Sequence, residues 1–521
     1  MRLTNMITAR FGTVILSVFT LLSPAVRPVV AGSVSLDVSS FGAVADGTTL
    51  NTAAIQKAID TCSGKGGGTV RFAAGKYVSG TILLKDNVTL HLDEGAVLLG
   101  SLDIGDYQMI DGFRDGRGSP MGYCFVGALG ATNIGIEGQG TIDGRGKALL
   151  DGRAPGDRGK RPFLVRLVRC SNVAAKNFHL HGSAAWTMHL SQCQNVKVEH
   201  IQIDCHEVGN NDGIDVDSSE NVSIRNCDIY SGDDSICLKT TSPSPCRNIE
   251  VTGCKLRTHW GGVKLGTESV GDFENLKMTD CRFTDCHGGI KLLSVDGAHL
   301  RNVLIANITM DNVTVPIFIR LGARLKTFRA GDAPKPVGAI ENVAIENIRA
   351  DCVSPIGILI SGIPDHAITG VRMEKLELHL PGGGTRDEAR AVLEEKESAY
   401  PEITMFGKQI PAYGIFARHV KGLKLHDAVF TVKAPDARPA VVCQMAGNVE
   451  FSGVKAPIQE GAEAAVRFES VQSAAIEDFQ TSGTPAAFLR VEGASSSGIV
   501  LHSGAHFELA PGVNAAAVTV H

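Results

Sequence analysis

An asparagine followed by an aliphatic residue recurs down this 521-residue chain, and its spacing leaves few folds open. The pair appears as Asn172-Val173, Asn195-Val196, Asn221-Val222, Asn248-Ile249, Asn275-Leu276 and Asn302-Val303, at steps of 23, 26, 27, 27 and 27 residues. A longer step of 40 leads to Asn342-Val343, and earlier copies begin at Asn87-Val88 and Asn133-Ile134. Each unit carries short period-two runs, such as Val222-Ser223-Ile224 and Ile249-Glu250-Val251, separated by Gly, Asn and Asp. That pattern reads as thin strands joined by tight turns. A unit of this size cannot bury its own apolar face, so neighbours must stack.

A leucine-rich horseshoe would need a dense leucine frame and a helical segment in every unit. Here Ile, Val and Asn dominate, with several strands per coil, and the expected fold is an all-β parallel β-helix, one chain wound as a solenoid. One helix stands out over 51–62, where Ala54, Ile55, Ala58 and Ile59 form a stripe. It is expected to cap the first coil, hiding an apolar end and blocking edge pairing. The segments 102–125, 144–162, 323–339 and 383–412 break the rhythm and are expected as loops shaping a binding face. Residues 32–521 read as one domain, its final coils Ala-rich and poor in motifs.

Composition narrows the partners. A net charge of −5 gives no electrostatic footprint for nucleic acid or an anionic membrane. Arg2 and Arg10, the apolar stretch Phe11–Leu22 and Val29-Val30-Ala31 read as a signal peptide over 1–31, with export to the periplasm or the extracellular space. A retained anchor is the alternative, although the stretch is short for a span. Thirteen cysteines in an exported chain would suggest disulfides, with at least one thiol left over. Cys227, Cys254 and Cys281 recur 27 apart, however, which favours a buried ladder of equivalent positions. No zinc-type spacing is present, and neither metal nor organic cofactor is expected.

Function is concentrated in residues 210–240. There Gly213-Ile214-Asp215-Val216 answers Ser235-Ile236-Cys237-Leu238 one coil later, 22 residues on. Stacking then sets Asp212 about 4.8 Å from Asp234, with Asp233 beside them. Crowded carboxylates cannot all ionise cheaply, so one keeps its proton near neutral pH. A protonated acid beside ionised bases suits glycosidic bond cleavage. Turn-capping is the simpler role for aspartates in repeats, and for Asp215 and Asp217 it weighs as much as a functional one.

Phe41-Gly42-Ala43-Val44-Ala45-Asp46-Gly47, followed by the helix and Gly66-Gly67-Gly68-Thr69-Val70, resembles the opening of glycoside hydrolase family 28, the polygalacturonase and pectin-hydrolase family. Gly138-Gln139-Gly140-Thr141-Ile142-Asp143-Gly144 and Trp186-Thr187-Met188-His189 extend the likeness. Asn210-Asn211-Asp212 matches the family's Asn-Thr-Asp motif, and Gly232-Asp233-Asp234 its Asp-Asp motif. The resemblance covers about residues 35–440. It implies a right-handed, single-stranded parallel β-helix and hydrolysis with inversion of a pectic polysaccharide or oligosaccharide. Asp233 would be the general acid, with Asp212 and Asp234 activating water. Projecting the coil by 27 residues puts the family's Gly-His-Gly motif on Trp260-Gly261-Gly262, with glycine in place of histidine. Its Arg-Ile-Lys motif, which holds a uronate carboxylate, falls on Lys291-Leu292-Leu293, where one cation remains.

The same projection makes Ile214, Ile236, Val263 and Ile290 an inward row, and Val216, Leu238, Leu265 and Leu292 another. Asp215, Cys237, Lys264 and Lys291 must then point outward. Lys264 and Lys291 are expected either to bind a sugar carboxylate or to restrain the catalytic aspartates. Asn210, Trp186, His189 and Arg320 complete the expected substrate-binding set. Core packing is the alternative for Trp186, and a solvated or inter-coil salt-bridge role for Arg320. Tyr400-Pro401-Glu402 lies in a loop of the kind that often carries binding groups. The chain is expected to act as a monomer, on catalytic coils spanning about 165–320. Two alternatives remain open. A polysaccharide lyase on this fold would use a Lys or Arg base and calcium, and a carbohydrate-binding β-helix would have no catalysis.

Overall fold

The computed structural model describes residues 34–153, 159–502 and 505–521. The expected signal segment over 1–31, and residues 154–158 within the 144–162 loop, lie outside them. No helix among the described residues is long and apolar enough to cross a membrane.

The backbone winds as a parallel β-helix, each coil adding strands that pair in parallel with those one coil before and after. One row of pairs runs through Gln194–Glu199, Glu220–Arg225, Cys246–Thr252 and Phe273–Thr284. A second runs through Gln202–Cys205, Asp228–Ser231 and Lys255–Thr258. The third runs through Met188–Ser191, Ile214–Asp217, Ile236–Thr240, Gly261–Ser269, Gly288–Ser294 and Val315–Leu321. Pairing continues through later coils to Val518–Val520.

The recurring asparagines mark one corner of the coil. Asn195, Asn221, Asn248, Asn275 and Asn302 all have φ between 56° and 59°. Asparagine tolerates this left-handed conformation better than other residues with a side chain. Each side-chain NH2 donates to the preceding asparagine's carbonyl, at 3.2 Å for Asn221 to Asn195, 2.9 Å for Asn248 to Asn221 and 3.0 Å for Asn275 to Asn248. The ladder begins at Asn133 on Asn87 and reaches Asn342 on Asn302.

The inward rows fall where the alternation put them. Ile214, Ile236, Val263 and Ile290 are fully buried, as are Val216, Leu265 and Leu292. Each such side chain contributes about 1.5–3 kcal/mol by leaving water. All thirteen thiols are buried and none is bridged, so the core uses cysteine as a small apolar filler.

The helix runs Thr52–Gly64 and buries Ile55, Ala58, Ile59 and Cys62 against the first coil, while Ala54 is only partly covered. Asn51 stands at its N-terminus without capping it. Its side chain instead accepts from Val44 N and donates to the Val44 and Thr49 carbonyls, fixing the preceding turn.

The loops converge over the third row. The 102–125 insertion contributes an antiparallel hairpin, Gln108–Arg114 against Pro120–Leu129. Arg114 N donates to Phe328 O in the 323–339 loop. The 383–412 strap is fastened by Arg320 and Arg418, whose guanidiniums donate to the carbonyls of Glu395 and Lys396, and of Leu393 and Glu394.

Candidate active site

Strand alternation on the third row turns every second side chain away from the core, toward the loops. Paired residues there run Asp215, Cys237, Lys264 and Lys291, in the order projected from the repeat. Asp212 and Asp233-Asp234 sit where successive coils enter this row. Asp115, Gly116, Arg117, Trp186, Asn210, Asp212, Asp233, Asp234, Lys239, Trp260, Lys264, Thr267, Glu268 and Tyr400 line a single polar cleft.

Three carboxylates there have different surroundings. Asp234 is buried and receives Lys264 Nζ at 2.6 Å and the Gly261 backbone N–H at 3.1 Å. Burial works against its ionisation, but Lys264, then Lys291 and Lys239, outweigh it and hold the carboxyl below its ordinary value. Asp212 is also buried, 3.2 Å from Lys239 Nζ, and a carboxylate oxygen of each of Asp212 and Asp234 lies within 4.8 Å of the other. Burial raises Asp212, and Lys239 opposes that rise. Asp233 has no ion-pair partner among the described residues; it accepts the Asp234 N–H at 3.0 Å. Burial, then the charges of Asp212 and Asp234, push its carboxyl up to about 8. The cluster thus keeps Asp233 protonated beside Asp234, which Lys264 holds ionised, the division of roles that acid–base catalysis needs.

Gly261 has a local reason to be glycine. A Cβ there would lie 2.3 Å from Asp234 Oδ1. Without a side chain, the backbone N–H reaches the carboxylate directly. His259 is exposed and contacts the Tyr230 ring at 5.9 Å, outside the cleft lining. His287 stacks on Trp260 at 4.9 Å.

Of the expected substrate-binding residues, Asn210, Trp186 and Lys264 line the cleft, and His189, Lys291 and Arg320 do not. Asn210 accepts from Arg161 at 2.7 Å and has a φ of 66°. Trp186 is buried, with Lys239 Nζ 4.2 Å from its ring centre. His189 is fully buried between Arg166, which meets its Nδ1, and Asp217, 3.2 Å from its Nε2. Burial and then Arg166 lower the imidazole to about 4, so it is neutral at ordinary pH. Lys291 is fully buried and donates to both Glu402 oxygens, at 2.9 and 3.3 Å. The substrate-contact expectation for Arg320 is corrected: its guanidinium is buried on Ser361 Oγ, the Gly362 carbonyl and the strap carbonyls, out of reach of a ligand.

Sequence reasoning missed Lys239, which lies 3.2 Å from Asp212, 3.5 Å from Asp215 and 3.4 Å from Glu268. The alternation that turned Lys264 outward would have found it, two residues beyond Cys237. Glu268 and Arg117 were also missed, and no periodic signal marks them. Asp215 is fully buried and raised well above its ordinary value, by burial and then by Asp212.

Asp212, Asp234 and Cys237 could in principle gather round a cation. Two lysine ammonium groups already neutralise those carboxylates. The Cys237 thiol donates to Gly266 O at 3.0 Å, and burial pushes it well above its ordinary value, away from the thiolate a metal needs. These residues do not fit a metal.

A family model for glycosyl hydrolases family 28 matches residues 115–398, and one described as rhamnogalacturonase A/epimerase, pectate lyase-like, matches residues 35–96. A probable polygalacturonase of Vitis vinifera is 34% identical over 218 residues, covering 40% of this chain and 44% of that protein. An exo-poly-alpha-D-galacturonosidase of Dickeya chrysanthemi is 28% identical over 258 residues, covering 39% and 41%. The chain therefore spans less than half the length of these curated relatives. Among solved structures, a family 28 exopolygalacturonase of Yersinia enterocolitica aligns with a TM-score of 0.59 at 20% identity, covering 84% of this chain and 78% of that one. A hyperthermoactive exopolygalacturonase of Thermotoga maritima aligns with a TM-score of 0.58 at 21% identity, covering 67% and 88%. These two share the fold.

Proposed function

The chain belongs to glycosyl hydrolases family 28, and we propose that it hydrolyses glycosidic bonds in a pectin-type polysaccharide or its oligosaccharides. The observation that carries this reading is the split among the three aspartates: Asp233 rests at about 8, while Lys264 keeps Asp234 ionised. In this mechanism Asp233 gives its proton to the leaving glycosidic oxygen as the bond to the anomeric carbon breaks. Asp212 and Asp234 hold a water and take its proton as its oxygen attacks from the opposite face, which inverts the anomeric configuration. Asn210 would contact the sugar, while Trp186, buried behind Lys239, would back the cleft wall. The polygalacturonase names of the curated relatives support the pectic substrate class. Export and action as a monomer are part of the proposal.

A lyase would need a neutral base. Lys264, the candidate for that role, is buried, which favours its neutral form, yet Asp234 outweighs this and raises its proton affinity well above the ordinary lysine value. The geometry favours hydrolysis.

The deciding experiment follows reducing-end release from polygalacturonan, rhamnogalacturonan and neutral glycans by wild type and Asp233→Asn. Activity that falls about 10²–10⁴-fold in the variant supports the acid assignment. A product absorbing at 235 nm would instead identify elimination. Glycan binding without turnover by the wild type would identify a binding module.

A further inference from the structure

Among the described residues, three cations line the cleft: Lys239, Lys264 and Arg117. Two are already committed, Lys264 to Asp234 and Lys239 to Asp212, Asp215 and Glu268. Lys291, the remaining cation of the sheet position that resemblance assigned to a uronate, is sealed under Glu402. Arg117 differs from all of these. Its side chain is exposed, it lines the cleft, and it forms no ion pair among the described residues.

The turn that carries Arg117 is built to hold it in place. Asp115 Oδ1 accepts the Arg117 N–H at 2.9 Å and the Ser119 N–H at 2.8 Å, and Gly118 N donates to Asp115 O at 2.8 Å. Gly116 N donates to Glu268 Oε1 at 2.5 Å, pinning the turn to the same carboxylate that meets Lys239. A Cβ on Gly116 would stand 2.9 Å from Thr267 Oγ1 and 3.0 Å from Glu268 Oε1, so a side chain there would push the turn and those groups apart. The guanidinium carbon lies 5.5 Å from the centre of the Tyr400 ring, which the strap brings to the same cleft. Stacking of this kind restricts the side chain while leaving its N–H edge free to bond.

We propose that Arg117, supported by the Tyr400 ring, binds the carboxylate of an acidic sugar in the cleft. A desolvated carboxylate beside Asp212 and Asp234 requires an unpaired cation, and a planar guanidinium receives it with two parallel hydrogen bonds. Selectivity for acidic sugars then resides in a turn that lines the cleft, while the lysines of the sheet serve the catalytic aspartates. This rests on the hydrolase reading above only for the identity of the sugar.

The test compares unesterified and methyl-esterified oligogalacturonides of equal length with wild type, Arg117→Ala and Arg117→Lys. The kcat/KM ratio of acid to ester is expected to fall about 10- to 100-fold in Arg117→Ala, the size of one or two charge-assisted hydrogen bonds. Arg117→Lys should recover part of that ratio. Calorimetry on Asp233→Asn, with and without Arg117→Ala, measures binding of the unesterified oligomer apart from turnover. An active wild type whose acid-to-ester ratio is unmoved by Arg117→Ala overturns the proposal and leaves the hydrolase reading intact. Arg117-dependent binding of the acid without hydrolysis supports the proposal and removes the hydrolase reading. Wild type that neither binds nor cleaves the acid overturns the proposal, and the hydrolase reading then stands or falls on the rhamnogalacturonan assay.

Discussion

Two stretches of the same sheet bury cations beneath loops and put them to opposite uses. In the coils over 212–294, Lys239 and Lys264 meet side-chain carboxylates, and the carboxylates remain on the cleft wall. In the coils over 315–421, Arg320 and Arg418 meet backbone carbonyls of the strap, Arg418 with the Glu395 carboxylate also 3.4 Å away and outside the cleft lining, and each guanidinium carbon lies 5.5 Å from the centre of the Phe406 ring. A carbonyl satisfies a guanidinium but offers no proton chemistry, so the second stretch is a fastening. The first stretch brings opposite charges together in a partly dehydrated place, where small differences in pairing separate the proton affinities of neighbouring acids. The two are joined through the strap, which the arginines hold at 393–396 and which delivers Tyr400 and Glu402 to the cleft.

The largest effect is expected from removing a cation of the first stretch. Lys264→Met leaves Asp234 buried with its main partner gone, a change of about 3–5 kcal/mol in unfolding free energy by chemical denaturation. Activity should fall with it, because Asp234 then takes up a proton and no longer accepts one from water.

Next in size is the response to pH, which reports the split within the first stretch alone. Activity should fall about tenfold per unit as pH rises beyond about 8, where Asp233 loses its proton. It should fall again in acid, first as Asp212, raised by burial, takes up a proton above the ordinary carboxylate range, and then as Asp234 does so below it. Stability carries the matching sign. Asp233 binds its proton more tightly folded than at its ordinary value of 3.8. Its contribution is therefore fully present below 3.8 and is lost as pH rises toward about 8. Asp233→Asn should remove the decline in stability between pH 3.8 and about 8; a profile identical to wild type would reject the assignment.

The smallest effect is expected in the second stretch. Arg418→Met frees the Leu393 and Glu394 carbonyls, a loss of about 1–3 kcal/mol. It should raise KM more than it lowers kcat, because the strap loosens while the aspartates keep their lysines. Equal losses in both stretches would erase the distinction between site and fastening.

Much of this was legible in the primary structure because a solenoid repeats its register. Once Asn221, Asn248 and Asn275 are seen as one corner, the pairing of Ile236 with Val263 and of Lys264 with Lys291 follows by counting. Lys239 was equally countable and was overlooked. Arg320 was not legible: its place on the strand was clear, but its partners come from 75 and 76 residues away. Trp186 illustrates the same limit, since its burial depends on Phe113 and Phe163 closing around it.

The sequence by itself determined the coil, its corners, its inward rows and the gathering of Asp212, Asp233 and Asp234, because all of these follow from local periodicity and nearest-neighbour stacking. Only the tertiary structure decided which cations of the cleft are committed and which, among the described residues, lacks an ion pair. Glu402 reaches Lys291 across 111 residues, and Glu268 meets the turn at Gly116 across 152. Loops have no repeat to count, and where they land is set by packing and charge at their destination.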